Sequence, residues 1–424
     1  MKHLKRSFGR EPLAERRGRT SNLMLMVHRN ILHLLLVSDI LYVSRLYRVT
    51  GLGFMQSLLL GIFAITAIFY GGIAAARRKY LQVFLQIFFV GFIFRELFQF
   101  SSITAAPISL NATFQFMIPA TFPVYSMMIA DGLGRRLVRN VFYYAFAYTS
   151  VYLLISLLYQ YNLVPRFQFS ALILTDIERD DRLFNYAEAT SLAWFVCLCS
   201  FIERRRVIAV FGLLVSGAAI YITLSRVYIA LMILVTMMYL ARLTPSTIRL
   251  LCLSILSLTT FGLLYGLTDD YWNPFSYFSV DSSGLFRADE YQTARRFVLE
   301  NPLWGVGIAP GQQDTGNLTG NIYFAAGDLG ALGVYYDWGI IGVILLFLGS
   351  YLLSIPQKGI AAGFRVPMFL TGSLIAAYAC IAQTFLYASG ATYLAIILGF
   401  WLNKLSSRDV APRPIIQATY NQAV

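Results

Sequence analysis

The residues best suited to chemistry in this sequence are arginines that stand beside hydroxyl groups or carboxylates. Arg226 lies in the run ITLSRVYIALMI, where Thr223 and Ser225 add two hydroxyl groups just before an apolar segment. A guanidinium group binds phosphate through paired N–H donors, and nearby hydroxyl groups add further donors. The pattern favours an anion clamp, and the alternatives are a residue that snorkels at an interface or one that pairs with a nearby carboxylate.

A second basic group begins at Arg287, which opens the amphipathic segment 288–300. On a helix Arg295 lies about 80° from Arg287, whereas Arg296 falls on the opposite side. Pro302 ends this helix, because the residue before a proline is pushed out of the helical region. The spacing predicts one basic helix face, and the alternative is a solvated helix whose own acidic residues pair with the arginines.

The candidate bases are carboxylates close to apolar or Gly-rich sequence. Asp328 lies in the run GDLGALG, whose glycines allow close backbone approach, and Asp337 precedes an apolar segment. Apolar surroundings raise the pKa of a carboxyl group, which suits a general base. Helix capping is the competing interpretation, favoured for Asp337. Glu188 is a further candidate base, and Arg182 is a candidate ligand for the substrate, unless the two aspartates before it satisfy it.

The composition places this chemistry in a membrane protein. The chain has 424 residues, of which 58% are hydrophobic and 13% charged, whereas soluble domains carry about 25% charged residues. A single soluble core cannot absorb this much apolar surface, so the bilayer must be part of the solvent. The net charge of +13 would suit nucleic-acid binding, but the topology below explains most of it, so no nucleic-acid partner is expected.

Hydropathy predicts an all-α polytopic membrane protein with about twelve transmembrane helices. Asp39, Arg45 and Arg48 interrupt the first segment, which could instead lie in the interface. The predicted regions are a basic cytoplasmic tail at 1–30, a transmembrane domain at 31–403 and a second tail at 404–424. The predicted spans are 31–50, 54–76, 81–100, 112–130, 140–159, 189–203, 207–224, 227–241, 248–266, 338–355, 366–387 and 391–403.

Lysine and arginine in the short loops predict the orientation. If the N-terminus is cytoplasmic and the spans alternate, the basic clusters and both termini fall in the cytoplasm. The long loops 160–188 and 268–337 then lie outside, and they carry fourteen of the 21 acidic but six of the 34 basic residues. The main exceptions are Arg45 and Arg48, near the outer end of the first span.

Several absences narrow the chemistry. The three histidines, His3, His28 and His33, fall in the tail or at the inner end, so no outer histidine is expected to act as base or metal ligand. The sequence holds no Gly-rich nucleotide loop that ends in Lys-Ser or Lys-Thr. We therefore expect no ATP-driven transport and no cofactor. No metal is expected either, because the outer loops lack a clear Asp-x-Asp pair or acidic cluster, although Asp180-Asp181 and Asp269-Asp270 leave a divalent metal open.

These residues resemble the superfamily of Wzy-type polysaccharide polymerases and O-antigen ligases, over about residues 180 to 345. Ligases of this superfamily carry a histidine near the position of Asp328, which this chain lacks, so the polymerase branch is favoured. The similar motifs are Thr223-Leu224-Ser225-Arg226, then Arg287 with Tyr291, Ala294 and Asn301-Pro302-Leu303-Trp304-Gly305-Val306-Gly307, then Asp328-Leu329-Gly330 with Tyr336-Asp337-Trp338-Gly339-Ile340-Ile341-Gly342, with Tyr291 in place of the family's tryptophan.

The resemblance implies a metal-independent, C-type membrane glycosyltransferase of the bacterial inner membrane. Its substrates would be polyprenyl-diphosphate-linked oligosaccharides, and candidate partners are a flippase and a chain-length regulator of the same pathway. The arginines at 226, 287, 295 and 182, with Ser225 and Tyr291, would bind the substrate and its diphosphate, and Asp328 would act as base, followed by Asp337 and Glu188. The alternatives are a ligase that uses the same donor and a transporter or flippase of lipid-linked oligosaccharides.

Overall fold

The protein is almost entirely helical in a computed structural model. The described residues are 13–163, 172–176, 179–204, 206–268, 273–276, 282–310, 312–321, 324–357, 359–382, 386 and 390–408. The strands β1 (Ile173–Asp176) and β2 (Arg179–Leu183) form an antiparallel hairpin with Ile173 opposite Leu183. The helices are α1 Leu13–Val43, α2 Met55–Ala76, α3 Tyr80–Thr104, α4 Leu110–Phe116, α5 Phe122–Ala130, α6 Gly134–Gln160, α7 Ala187–Arg204, α8 Val207–Ile222, α9 Arg226–Leu240, α10 Pro245–Tyr265, α11 Ser282–Glu300, α12 Gln312–Thr319, α13 Ala331–Leu353, α14 Ala362–Tyr378 and α15 Ala391–Arg408.

Six helices in the described part of the chain are long and apolar enough to cross a membrane. They are Met24–Val43 within α1, Met55–Ala76, Tyr80–Thr104, Gly134–Gln160, Pro245–Thr268 and Ala331–Leu353. Shorter apolar helices occupy Val207–Ile222, Arg226–Leu240 and Ala391–Leu405. The structure therefore supports a polytopic helical membrane protein, while the number of twelve spans and their orientation stay predictions.

The outward faces of these helices are apolar. Ile65 on α2, Phe211 on α8 and Leu258 on α10 are 71, 63 and 72% exposed. Soluble proteins rarely present large contiguous apolar surfaces to water. Exposure of such side chains to water is unfavourable in free energy, whereas contact with lipid is not. These faces therefore agree with the apolar composition.

Two predicted boundaries differ from the structure. The segment 112–130, expected as one span, is divided into α4, a 3₁₀ turn at Pro119–Thr121 and α5. Pro119 and Pro123 explain the division, because a proline lacks an amide hydrogen and is tolerated in the first turn of a helix rather than its interior. The second difference lies near the N-terminus. Helix α1 begins at Leu13, so residues 13–30, which were predicted as a tail before the first span, are helical.

Helix α13 is broken in its first half by Gly339, whose φ of 62° and ψ of −160° are not helical. The segment 302–308 lies against this break. Three main-chain hydrogen bonds join them: Val306 N to Tyr336 O at 2.7 Å, Gly307 N to Asp337 O at 2.9 Å and Ile340 N to Pro302 O at 3.1 Å. The loop therefore supplies partners to the groups that the broken helix leaves open.

Glycine is required at three positions of this junction. Gly305, Gly307 and Gly339 all have positive φ, at 69°, 90° and 62°. A Cβ atom on Gly305 or Gly339 would collide with main-chain atoms across the junction, and one on Gly307 would collide with the main chain of α3 at Glu96 and Phe100. The Gly-rich run seen in the sequence thus allows the large loop to pack closely on α13 and, at Gly307, on α3.

Helix α1 leads from one end of the bundle to the other. Near the start of its candidate span, the His28 imidazole lies 3.4 Å from the Asp131 carboxylate, which also contacts Arg77. Past its end, the Arg45 guanidinium covers the Phe184 ring, and the Asp328 charge acts on it. We call the end that holds Arg45 the loop end, because the segment before α7 and part of 282–329 meet there.

Candidate active site at the loop end

The centre of the candidate site is the contact between α11 and the 3₁₀ turn Ala326–Leu329. The amide of Ala325 donates to Glu290 Oε1 at 2.9 Å. The Glu290 side chain is buried, with 5% exposure, whereas Asp328 in the turn is exposed. One carboxylate thus fixes the turn, and the other faces outward from it.

Glu290 lies in an environment that disfavours its charge. Burial is the largest cause that raises the pKa of Glu290, to about 7, and the nearby Asp328 charge acts in the same direction. The Ala325 amide and the Arg287 guanidinium oppose this shift. A carboxyl group that titrates near neutral pH suits proton transfer, so Glu290 is a functional candidate that the sequence analysis had treated only as an ion-pair partner.

Arg287 belongs to the same group. It is half-buried and stands three residues before Glu290, hence on the same face of α11. Its charge acts on Glu290, as does that of Asp328. The structure therefore brings together two of the predicted residues, Arg287 and Asp328, around a third that was not predicted.

Arg45 is the fourth member of this group. Its guanidinium lies 4.3 Å from the centre of the Phe184 ring, a cation–π contact. Burial, followed by the Arg48 charge, lowers the pKa of Arg45, and the Asp328 charge opposes that shift. We call Arg45, Arg287, Glu290 and Asp328 the loop-end cluster. In the sequence, Arg45 was notable only as an arginine near the outer end of the first predicted span, against the preference of arginine for cytoplasmic loops.

Arg226 stands at a second position, at the start of α9. It is exposed, and the turn before it is tight, since Leu224 has a φ of 51° and the Ser225 amide donates to Thr223 Oγ1 at 3.3 Å. Two residues on, the Tyr228 hydroxyl lies 2.7 Å from Ser191 Oγ and donates to the Ala187 carbonyl at 2.8 Å. The start of α9 therefore packs on the start of α7.

Glu188, at the start of α7, is 3% exposed and lines a small cavity with Asp39, Tyr186 and Thr392. The cavity leaves about 30 Å³ for the centres of water molecules, which is room for one or two waters. The Tyr186 hydroxyl donates to Asp39 at 2.6 Å. Glu188 thus belongs to a buried polar network behind the loop end.

Three other predicted site residues, the ligands Arg295 and Tyr291 and the candidate base Asp337, have structural contacts. The Arg295 Nε donates to the Leu267 carbonyl at 3.0 Å, next to the end of α10. Tyr291 is fully buried, and its hydroxyl donates to Leu263 O at 3.0 Å. Asp337 is 8% exposed, and its main-chain carbonyl accepts from Gly307. These contacts join the large loop to α10 and α13. The single basic face predicted for Arg287 and Arg295 is not formed, because Arg287 lies beside Glu290 whereas Arg295 bonds to the Leu267 carbonyl.

Arg182 lies in β2 opposite Leu174, and its side chain lies outside the described residues. The hairpin leads into Phe184, whose ring the Arg45 guanidinium covers.

Within the described ranges, no group of three or more His, Cys, Asp or Glu side chains is placed to hold a metal ion. Comparisons with protein-family models, curated proteins and solved structures give no match for the chain. The fold and the site together define a helical membrane protein with arginines and carboxylates gathered at one end.

Proposed function

We propose that the protein is a polysaccharide polymerase of the bacterial inner membrane, with both termini cytoplasmic and the loop end outside. It transfers a growing glycan from a polyprenyl-diphosphate carrier to a new lipid-linked repeat unit. The observation that carries the proposal is the loop-end cluster, in which guanidinium groups and carboxylates of different burial lie together at one end of an apolar bundle.

The reaction balances with the residues of this chain. An acceptor hydroxyl oxygen bonds to the anomeric carbon of the donor, and its proton passes to Asp328, the base of the proposal. The bond between that carbon and the phosphate oxygen breaks, and its electron pair leaves on the diphosphate. Arg287 of the loop-end cluster stabilises the leaving charge through its guanidinium donors, and Arg226 adds a second such contact.

The buried Glu290 holds the turn that carries Asp328, through the Ala325 amide. Two carboxyl groups in different environments can hold different protonation states at one pH. In this proposal Asp328 touches the acceptor, while Glu290 is a positioning residue that sets where Asp328 stands.

The direct test uses purified protein and lipid-linked repeat units. We expect Arg287→Ala and Asp328→Asn each to lower chain extension strongly, because one loses the leaving-group contact and the other the proton acceptor. Arg296→Ala is the matched control, since Arg296 lies on the same helix and is exposed. Polymer of normal length and rate from Arg287→Ala would reject the role of this arginine.

The lipid-linked species that accumulates without the gene separates the alternatives. A single repeat unit on lipid at the outer leaflet indicates the polymerase. Full-length polymer on lipid indicates a ligase. Repeat units confined to the cytoplasmic leaflet indicate a transporter or flippase.

A further inference from the structure

We infer that α8 and α9 thin the lipid bilayer beside them, in the leaflet at the loop end. Both helices are apolar, but they have 16 and 15 residues, whereas the six candidate spans have 20–27. At about 1.5 Å per residue, α8 and α9 extend over about 24 and 22 Å, and the hydrocarbon of a bilayer is about 30 Å thick. Any tilt of these helices shortens the distance that they cover across the membrane.

Contacts with α7 show where the two ends of α8 lie. Gly212 of α8 approaches Cys197 of α7, and Gly217 approaches Trp194, so closely in each case that a Cβ atom on the glycine would be in contact. Because higher numbers in α8 meet lower numbers in α7, the two helices are antiparallel. The end of α8 therefore lies level with the start of α7, which is at the loop end.

Helix α9 leads back from the same level. The Tyr228 hydroxyl donates to the Ala187 carbonyl at 2.8 Å, and Trp194 Nε1 donates to Thr236 Oγ1 at 3.1 Å. The order of these contacts makes α9 parallel to α7. The turn between α8 and α9 is thus level with the start of α7, and both helices cross the bundle between the same two ends.

Helix α6 reaches well beyond this level. The hydroxyl groups of Tyr148 and Tyr152 bond to the Tyr186 amide and the Leu183 carbonyl, just before α7. Counted from Tyr152, α6 continues for eight residues to Gln160, which is about 12 Å. The apolar surface at the loop end therefore falls by about 12 Å from α6 to the turn between α8 and α9, and we call this fall the step.

Exposed side chains follow the step. Tyr161, directly after α6, is 72% exposed, and Tyr221, in the last turn of α8, is 73% exposed. Arg226 follows Tyr221 after the turn and is exposed as well. At the opposite ends of α8 and α9, Arg206 and Arg242 are exposed. Charged residues thus limit the apolar surface of this pair of helices at both ends.

The charge at the turn favours thinning over the other responses to a short apolar surface. A bilayer that covered the exposed side chains at the end of α6 would enclose Arg226 in hydrocarbon, which is unfavourable for a guanidinium group. Snorkelling does not offset the step, because the step is longer than an arginine side chain. A second copy of the chain on this face would enclose the same charge. Lipid headgroups that come down to Arg226 satisfy it.

The test measures the depth of matched positions in the full-length protein in liposomes. Tyr221→Cys and Tyr161→Cys replace tyrosines of nearly equal exposure at the loop ends of α8 and α6, and Leu214→Cys marks the middle of α8, at 67% exposure. The four native cysteines are buried. Each variant is labelled with bimane, and its quenching is compared between a lipid with a nitroxide on the headgroup and one with a nitroxide deep in the acyl chain.

We expect the headgroup nitroxide to quench the labels at 221 and 161 at least about twofold more than the acyl-chain nitroxide, because the headgroups follow the step. The label at 214 should show the reverse preference, which proves that the assay reports depth and that α8 faces lipid.

Two results would overturn the inference. The first is stronger quenching of the label at 221 by the acyl-chain nitroxide while the label at 161 stays among headgroups, since the bilayer then keeps its thickness beside α8. The second is protection of the labels at 221 and 214 from both nitroxides, since a second copy of the chain then covers this face instead of thinned lipid.

Discussion

The Tyr186 hydroxyl donates to the Asp39 carboxylate at 2.6 Å, which joins the first candidate span to the segment that enters α7. Thr392, at the start of α15, donates to the other oxygen of the same carboxylate. Asp39 is 4% exposed. Three distant parts of the chain therefore meet on one side chain that the sequence analysis treated as an interruption of a span.

Replacement of Asp39 by alanine is expected to destabilise the protein. It leaves the Tyr186 and Thr392 hydroxyl groups buried without this acceptor, at about 1–3 kcal/mol each. Asp39→Asn keeps an acceptor oxygen and should cost less. Thermal unfolding in detergent measures the difference, with the exposed Asp289→Ala as the control. Equal unfolding temperatures for the two alanine variants would show that the carboxylate holds nothing together.

The glycine junction gives a second prediction. Gly307→Ala places a Cβ atom against the main chain of α3, and Gly339→Ala places one against Leu303, so both are expected to impair packing of the loop on these helices. Gly327→Ala is the matched control, because a Cβ atom there has no neighbour within 4 Å. Limited proteolysis of the segment 301–321 measures the effect. A Gly339→Ala protein as resistant as the Gly327→Ala protein would contradict it.

This contrast shows how far the sequence could predict the loop. The Gly-rich runs indicated that another part of the backbone approaches these glycines closely. This holds at Gly330, where a Cβ atom would collide with the Cys380 carbonyl, but not at Gly327, where a Cβ atom would have no neighbour within 4 Å. Helix α11 ends at Glu300, as the proline at 302 predicted. The partner of each glycine depends on contacts between distant segments, and one sequence carries no information on those.

Glu290 gives a prediction on pH. Its pKa in the folded protein is about 7 against an ordinary 4.5, so the folded state retains a proton that the unfolded state releases between these values. The resulting stabilisation is present below the lower value and is lost as the pH rises to the upper one, by at most about 3 kcal/mol. We therefore expect the unfolding midpoint to decrease more between about pH 5 and about pH 8 for the wild type than for Glu290→Gln.

The control for this experiment is Glu300→Gln, which changes an exposed carboxylate on the same helix. It should follow the wild type at both pH values. If Glu290→Gln also follows the wild type, the buried carboxyl group does not titrate as described.

The ion pair Arg95–Glu96 gives a fourth prediction. Arg95 Nη1 donates to Glu96 Oε1 at 2.8 Å, and the guanidinium lies 3.8 Å from the centre of the Trp304 ring. Glu96 is fully buried. Arg95→Met leaves the Glu96 carboxylate without this cation and is expected to destabilise the protein, by less than the about 3–5 kcal/mol of fully buried pairs because the Arg95 side chain is 31% exposed.

The double variant Arg95→Met/Glu96→Gln removes both charges and is expected to recover part of that loss. Denaturant titration of the single and double variants gives the coupling. A double variant less stable than Arg95→Met alone would show that the pair is not the source of the effect.

Metal removal tests the expectation that no metal takes part. Chain extension should continue in the presence of excess EDTA, because the proposed stabilisation of the leaving group comes from arginines. The control is a metal-dependent glycosyltransferase assayed in the same buffer. Loss of activity that added Mg²⁺ or Mn²⁺ restores would count against arginine-based catalysis.

The candidate site was predictable only in part. Arg287 and Asp328 follow from their chemistry and their place in a long polar insertion, and the structure brings them into one cluster. Glu290 and Arg45 were missed as site residues, because a carboxylate on a charged helix and an arginine at a span end have ordinary structural explanations. Their roles depend on burial and on contacts with Ala325 and Phe184, which lie 35 and 139 positions away.

The break at Gly339 has a consequence for protein engineering. Residues 302–308 complete the hydrogen bonding of a helix that begins about thirty positions later. The large loop therefore cannot be exchanged as an independent unit. A transplanted loop from another protein would leave α13 with open amides and carbonyls unless it brought the same three bonds. Affinity tags or protease sites are therefore best placed near Gly320, where the backbone turns and a side chain meets open space.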